Sequence, residues 1–78
     1  MAARESKSTN ELRILIMREV RKHPDWIYVL NVAITRPVQS SPDQPNWDAA
    51  FTMSGKAFAP REAFEIVRKL QAIFSLAG

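Results

Sequence analysis

The chain has 78 residues, of which 46% are hydrophobic and 24% charged, a balance typical of a globular protein rather than a disordered one. Eleven lysines and arginines against eight acidic residues give a formal net charge of +3, a mild excess that favours acidic partners only where the charges cluster. The absence of cysteine excludes a disulfide framework, a thiol nucleophile and a cysteine zinc site, and the longest uncharged run, Trp26 to Thr35, is far shorter than the ~20 residues that span a bilayer.

The N-terminal part predicts a tail followed by a helix. Residues 1–7 are polar, small or charged and are expected to form a disordered tail, with residues 8–78 forming a single small domain. The Ser8 hydroxyl can cap a first helical turn while the Glu11 carboxylate reaches back to the Ser8 amide. Apolar residues at helical spacing predict the face that packs on the core: Leu12, Leu15, Ile16 and Val20. The helix should end near His23, since Pro24 disfavours helical geometry there.

The next segment, Trp26 to Thr35, is rich in β-branched and aromatic residues and predicts a strand. The even-numbered residues are apolar or aromatic and should face the core: Trp26, Tyr28, Leu30, Val32 and Ile34. The odd-numbered residues are mixed and should form the outer face, which includes Ile27, Val29, Asn31 and Ala33.

A second strand follows a proline-rich connection, residues 36–46, which is expected to be exposed. Trp47 to Ser54 alternates, with Trp47, Ala49, Phe51 and Met53 on the core face and Ala50 and Thr52 on the outer face. Antiparallel pairing puts both apolar faces toward the core if residue 34 opposes 47, residue 32 opposes 49 and residue 30 opposes 51. We expect both tryptophans in the core, although an exposed Trp47 would instead anchor a partner.

A second helix is predicted from Pro60 to Ala77, because proline suits a first helical turn and apolar residues then recur at helical spacing. Gly78 can serve as the residue that ends this helix. The resulting order is α-β-β-α. The predicted fold class is α+β, with an antiparallel two-stranded sheet covered on one face by two helices.

The outer strand edges predict association. Neither predicted strand carries a lysine, proline or bulge signal that would blunt its edge, apart from Asp48 near the start of the second strand. We therefore expect a homodimer, formed by strand pairing into a four-stranded sheet or by contact of the outer face. The candidate interface residues are Ile27, Val29, Asn31, Ala33, Ala50 and Thr52. The alternative is cover within the chain by Ala57-Phe58 or by the proline-rich connection.

Few residues suggest catalysis. His23 is the only histidine, and although Asp25 or Asp48 could pair with it, its place at a helix end beside Pro24 favours a capping or exposed role. Ser54-Gly55-Lys56 lacks the second glycine of a phosphate-binding loop, since residue 50 is alanine. We expect no enzyme activity, no cofactor and no metal site, and no motif identifies a protein family.

The basic residues of the two helices support an alternative function. Five of them form a candidate surface for nucleic acid or another anion: Arg18, Arg21, Lys22, Lys56 and Arg61. Glu62 and Glu65 lie near Arg61 and would repel phosphate, so a solvated helix face is the simpler interpretation. The sequence therefore predicts a cytoplasmic, non-enzymatic interaction module that binds another macromolecule, with a weak nucleic-acid-binding or regulatory protein as the alternative.

Overall fold

The computed structural model of the chain describes residues 4–38, 41, 44–55 and 58–77. In this part of the chain the elements are strand β1 (Glu5–Lys7), helix α1 (Thr9–Val20), a 3-10 turn (Pro24–Trp26), strands β2 (Val29–Thr35) and β3 (Asp48–Met53), helix α2 (Arg61–Ile73) and strand β4 (Phe74–Leu76). The protein is α+β, as predicted. Its element order differs from the predicted α-β-β-α by a short strand at each end. The expected roles of Ala57 and Gly78 lie outside the described residues.

Helix α1 begins with the predicted capping box, which the structure confirms. The Glu11 amide donates to Ser8 Oγ over 3.1 Å, and the Ser8 amide donates to Glu11 Oε1 over 3.0 Å. Leu12 and Ile16 are fully buried, so the apolar stripe packs on the core as expected. The helix is followed by the 3-10 turn that contains Trp26, and the strand expected to start at Trp26 therefore starts later.

Strands β2 and β3 pair antiparallel, with Val32 opposite Phe51 and Ile34 opposite Ala49. This register lies two residues from the predicted one and preserves which faces meet, because side chains alternate with a period of two. The pairing has an irregularity at Leu30, where an extra residue reverses the alternation. Val29 is consequently buried and Leu30 is 53% exposed, so placing Val29 on the outer face and Leu30 in the core was wrong.

The two chain ends form a second sheet, in which β1 and β4 pair in parallel. Residues 5–7 are thus a strand, where the sequence predicted part of a disordered tail. Helix α2 ends at Ile73 instead of Ala77, because the Phe74 backbone is extended (φ −121°, ψ 149°) and begins β4. The Ala77 amide donates to the Lys7 carbonyl over 2.9 Å, which continues the pairing beyond the strand.

The core lies between the helices and one face of the β2–β3 sheet. Both tryptophans are buried, as predicted, and Trp47 is fully enclosed. Its indole Nε1 donates to the Phe74 carbonyl over 3.1 Å, so its polar group is satisfied inside the core. The other buried apolar side chains are Leu12, Ile16, Val20, Val29, Val32, Ala63, Val67 and Leu76.

Candidate functional site

The outer edges of the β2–β3 sheet are identified by two short side-chain hydrogen bonds. The Val32 amide donates to Asn31 Oδ1 over 2.9 Å, and the Ala49 amide donates to Asp48 Oδ1 over 2.8 Å. Residues in an antiparallel pair direct their backbone groups alternately toward and away from the partner strand. The backbone groups of Val32 and Ile34 therefore point out of β2, and those of Ala49 and Phe51 point out of β3.

The β3 edge is covered at its start by two side chains. Besides the Asp48 carboxylate, the Gln71 side chain of α2 covers its start by donating from Nε2 to the Trp47 carbonyl over 2.7 Å. On the β2 edge, Asn31 alone among the described residues makes a side-chain hydrogen bond to the outward groups of Val32 and Ile34. Within the described ranges, no hydrogen bond reaches the outward carbonyl of Val32 or either backbone group of Ile34.

The outer face of this sheet is uncharged along most of its length. Ala33 lies opposite Ala50 and Asn31 opposite Thr52, and all four residues are exposed. Two apolar side chains extend the surface at the bulged end of β2, where Ile27 is 77% exposed and Leu30 is 53% exposed. Of the six predicted interface residues, four lie on the outer face of the sheet: Asn31, Ala33, Ala50 and Thr52. Ile27 is exposed in the turn before β2. Val29 belongs to the core.

The alternative, cover of the edge by Ala57-Phe58 or by the proline-rich connection, falls partly outside the described residues. Phe58 is 89% exposed, so its ring is not packed on the sheet. The proline-rich connection is held at its ends by the C-terminal segment. Arg36 Nη2 donates to the Ala77 carbonyl over 3.2 Å, and the Asn46 side chain hydrogen bonds to the backbone of Leu76.

A groove lies between the ends of this connection and helix α2. Its cavity volume is about 470 Å³, within the range of ligand sites. Its lining combines apolar and long polar side chains: Pro37, Val38, Gln44, Pro45, Trp47, Asp48, Phe64, Val67, Arg68 and Gln71. Phe64 and Arg68 also line an adjoining cavity with Ala59, Arg61 and Glu65, so the two cavities form one groove along α2. We call this feature the α2 groove.

The centre of the α2 groove is an exposed aromatic ring. Phe64 is 46% exposed and meets Phe51 edge to face, with ring centroids 5.6 Å apart. Arg61 and Arg68 lie three residues before and four residues after Phe64, which places all three on one side of the helix. Of these three, the sequence predicted Arg61 as a site residue, although their i, i+3, i+7 spacing is a readable signal.

The residues of the predicted anion surface come from both helices. Arg18 and Arg21 are exposed near the end of α1, and Lys22 Nζ is paired with Glu19 Oε1 at 3.1 Å. Arg61 instead lines the α2 groove. Lys56 lies outside the described residues.

His23 packs against an aromatic ring. Its imidazole stacks on the Trp26 indole with centroids 3.8 Å apart and an interplanar angle of 12°. Within the described part of the chain, no three histidine or acidic side chains cluster in a way that could hold a metal ion. The described geometry of His23 is therefore a packing contact at the end of α1.

Comparison with protein-family models, curated proteins and solved structures found no match to this chain. Neither of the helices in the described ranges is long and apolar enough to cross a membrane.

Proposed function

We propose that the chain is a small, non-enzymatic interaction module that forms a homodimer through the outer edge of β2 and binds another macromolecule. The observation that carries the dimer is the outer edge of β2, where the Val32 carbonyl and both backbone groups of Ile34 have no hydrogen-bond partner among the described residues. Gln71 and Asp48 occupy the start of the β3 edge, whereas Asn31 occupies one amide of the β2 edge. An exposed edge with free amides and carbonyls favours pairing with a second strand.

The outward groups of β2 fit a two-fold arrangement. With the axis beside Ala33, Val32 of one chain would face Ile34 of the other, and each such pair exchanges two backbone hydrogen bonds. On pairing, the Val32 amide would break its hydrogen bond to the Asn31 side chain. Each chain therefore replaces one side-chain hydrogen bond with backbone hydrogen bonds. Each net hydrogen bond contributes about 0.5–1.5 kcal/mol to association. The product is a four-stranded sheet with its helices on one side.

The exposed side chains around β2 agree with this arrangement. Ile27 and Leu30 are large apolar residues at the end of the strand, where a second chain would shield them from water. Ala33 has no charge and little bulk beside the proposed axis. No charged side chain is present between Val29 and Thr35 to oppose close approach of two chains.

Light scattering on matched lysine variants tests both the dimer and its geometry. The wild type should have twice the monomer mass at high micromolar concentration. Ala33→Lys should be monomeric, because two lysines would face each other across the axis. Ala50→Lys places the same charge on the same sheet face, one strand farther from the axis, and should remain dimeric.

The two variants also separate edge pairing from packing of the outer faces. If both Ala33→Lys and Ala50→Lys dissociate the dimer, the outer face is the contact and edge pairing is wrong. A monomeric wild type would overturn the homodimer. Circular dichroism of each variant controls for loss of fold.

A further inference from the structure

Helix α1 presents a large apolar side chain on the side that faces away from the core. Ile14 is 46% exposed, whereas Ile16 is fully buried. Arg18 and Arg21 follow Ile14 by four and seven residues, so the three side chains lie on the same side of the helix, and both arginines are exposed. We call this surface, formed by Ile14, Leu15, Arg18 and Arg21, the α1 outer face.

A small cavity lies at the N-terminal end of the α1 outer face. Its volume is about 150 Å³, and it is lined by Lys7, Glu11, Ile14 and Leu15. Ligand pockets usually have roughly 300–1,000 Å³, whereas an apolar cavity of roughly 150 Å³ can hold a molecule the size of benzene. Lys7 Nζ lies 3.9 Å from Glu11 Oε2, so the two charged groups in the lining offset each other. The cavity therefore suits a single apolar side chain of a partner.

The excess positive charge of the chain is concentrated around α1. Residues 7–22 contain five of the eleven cations and two of the eight acidic residues, so their formal charge of +3 equals that of the whole chain. Lys22 pairs with Glu19 at 3.1 Å. Neither the Arg18 nor the Arg21 side chain makes a hydrogen bond or an ion pair with another residue of the described ranges. These two guanidinium groups are therefore suited to bind carboxylates, which arginine contacts through a planar, often bidentate arrangement.

The spacing along α1 favours a helical partner. At a rise of 1.5 Å per residue, Arg18 and Arg21 lie about 6 Å and about 10 Å from Ile14 along the helix axis. A second helix packed beside α1 presents an apolar residue and two acidic residues at the same intervals. Nucleic acid would use the two arginines through its phosphates, but phosphate contacts need no apolar side chain such as Ile14. The α1 outer face therefore fits a protein helix better than nucleic acid.

We infer that the α1 outer face binds an amphipathic helix of another protein, whose apolar side chain enters the cavity and whose acidic side chains contact Arg18 and Arg21. This inference names the partner class of the proposed interaction module and rests on that function. It makes no use of the β2 edge, so it does not require the homodimer.

NMR titration of the full chain with a synthetic helical peptide of about 18 residues tests the inference. The peptide carries leucines on one face, at helical spacing, and glutamates beside them. Two matched peptides separate charge from apolar contact: one has lysine in place of each glutamate, and the other has alanine in place of each leucine. The leucine–glutamate peptide should shift the amide signals of Ile14, Leu15 and Arg18, and the matched peptides should bind at least about tenfold more weakly. A single-stranded oligonucleotide serves as the competing class of partner.

Charge reversal on each helix makes the prediction specific in sign. The double variant Arg18→Glu with Arg21→Glu should reverse the preference and bind the lysine peptide more tightly than the glutamate peptide. The double variant Arg61→Glu with Arg68→Glu, on α2, changes the net charge equally and should keep the preference for glutamate. Circular dichroism checks that both variants fold, because cations in the last turn of α1 also stabilise that helix.

Two neutral variants test the same face without reversing any charge. Arg18→Gln removes one charged contact and should weaken binding of the glutamate peptide about two- to fivefold. Ile14→Ala removes part of the apolar contact and should weaken it about five- to tenfold. Both side chains are exposed, so the fold should be unaffected. Unchanged affinity in both variants would overturn the inference.

Other outcomes would also contradict the inference. These are no shifts at millimolar peptide, shifts confined to other surfaces, equal binding of the lysine peptide by the wild type, or tighter binding of the oligonucleotide at these residues. Loss of the glutamate preference in the α2 double variant would show that net charge attracts the peptide, and not the α1 outer face. Peptide binding by a monomeric wild type would make the homodimer alone wrong, and a dimer that binds no peptide would make the α1 outer face alone wrong.

Discussion

Asn46 uses both ends of its side-chain amide on the backbone of Leu76. Its Nδ2 donates to the Leu76 carbonyl over 2.9 Å, and the Leu76 amide donates to its Oδ1 over 2.8 Å. The side chain thereby takes the place of a neighbouring strand on the edge of β4 that β1 leaves open. The Leu76 side chain is buried, so the contact holds the C-terminal strand on the core.

Replacing Asn46 should destabilise the protein. Asn46→Ala removes two hydrogen bonds and should lower the free energy of unfolding by about 1–3 kcal/mol. Urea unfolding measures the change. Asn10→Ala, at an exposed position on α1, is the matched control and should stay within about 0.5 kcal/mol of the wild type. Equal stability of the Asn46 and Asn10 variants would show that the Asn46–Leu76 contact contributes nothing.

Trp47→Phe should be more damaging than Trp26→Phe. Both changes shorten a buried aromatic side chain, but the first also leaves the Phe74 carbonyl without its indole donor. A cavity together with a partly buried unpaired carbonyl should cost about 2–4 kcal/mol. Urea unfolding of the two variants, followed by circular dichroism, checks the order. A larger loss for Trp26→Phe would contradict it.

The capping box should make stability depend on pH. The hydrogen bonds from the Ser8 amide and Ser8 side chain, with a smaller contribution from Lys7, hold the pKa of Glu11 below its ordinary value of 4.5. A carboxyl whose pKa is lower in the folded state stabilises the protein above the ordinary pKa. This stabilisation is lost as the pH falls through the lower, folded-state pKa.

Glu11→Gln isolates this effect, because glutamine can still accept the Ser8 amide but does not ionise. The urea midpoint of the wild type should exceed that of the variant at neutral pH, and the difference should shrink as the pH falls below 4.5. A difference that stays constant or grows on acidification would contradict the assigned pKa direction.

Asn31→Ala should strengthen the proposed homodimer. The change frees the Val32 amide on the β2 edge without adding charge, so the amide no longer has to leave an internal partner when two chains pair. Asp48→Ala frees the corresponding Ala49 amide on β3 and should leave the dimer unchanged. Sedimentation velocity over a dilution series measures the dimer dissociation constant of each variant. A tighter dimer for Asp48→Ala than for Asn31→Ala would indicate that the dimer forms through the β3 edge instead of the β2 edge.

Local signals in the sequence predicted the helices and the two central strands, and contacts between distant residues explain where the prediction was wrong. Ser8 and Glu11 form a capping box within one helical turn, so neighbouring residues contain the whole signal. The apolar spacing, which is also a local signal, predicted that α2 extends to Ala77. It was wrong because Asn46 and Lys7 hydrogen bond the C-terminal backbone in an extended form, and both are far away in the chain.

The contrast between local signals and long-range contacts also explains why the outer face was predicted and the α2 groove was not. Alternation predicted that Ala33 and Ala50 would share the outer face, which the register confirms. It could not predict the extra residue at Leu30, since a bulge depends on the partner strand. The α2 groove was missed because Phe64 fitted the apolar stripe of a helix. The cavity beside Trp47 depends on tertiary contacts such as the hydrogen bond from Gln71 to the Trp47 carbonyl.

Hydrogen exchange at Ile34 is the most direct measure of strand pairing across the β2 edge. Its amide points outward, as does that of Phe51 on the β3 edge, so the two amides form an internal comparison within one sheet. In the free protein the Ile34 amide should be protected at high concentration and lose protection on dilution, while the Phe51 amide exchanges readily throughout. An Ile34 amide that exchanges as fast as that of Phe51 at every concentration would contradict the homodimer.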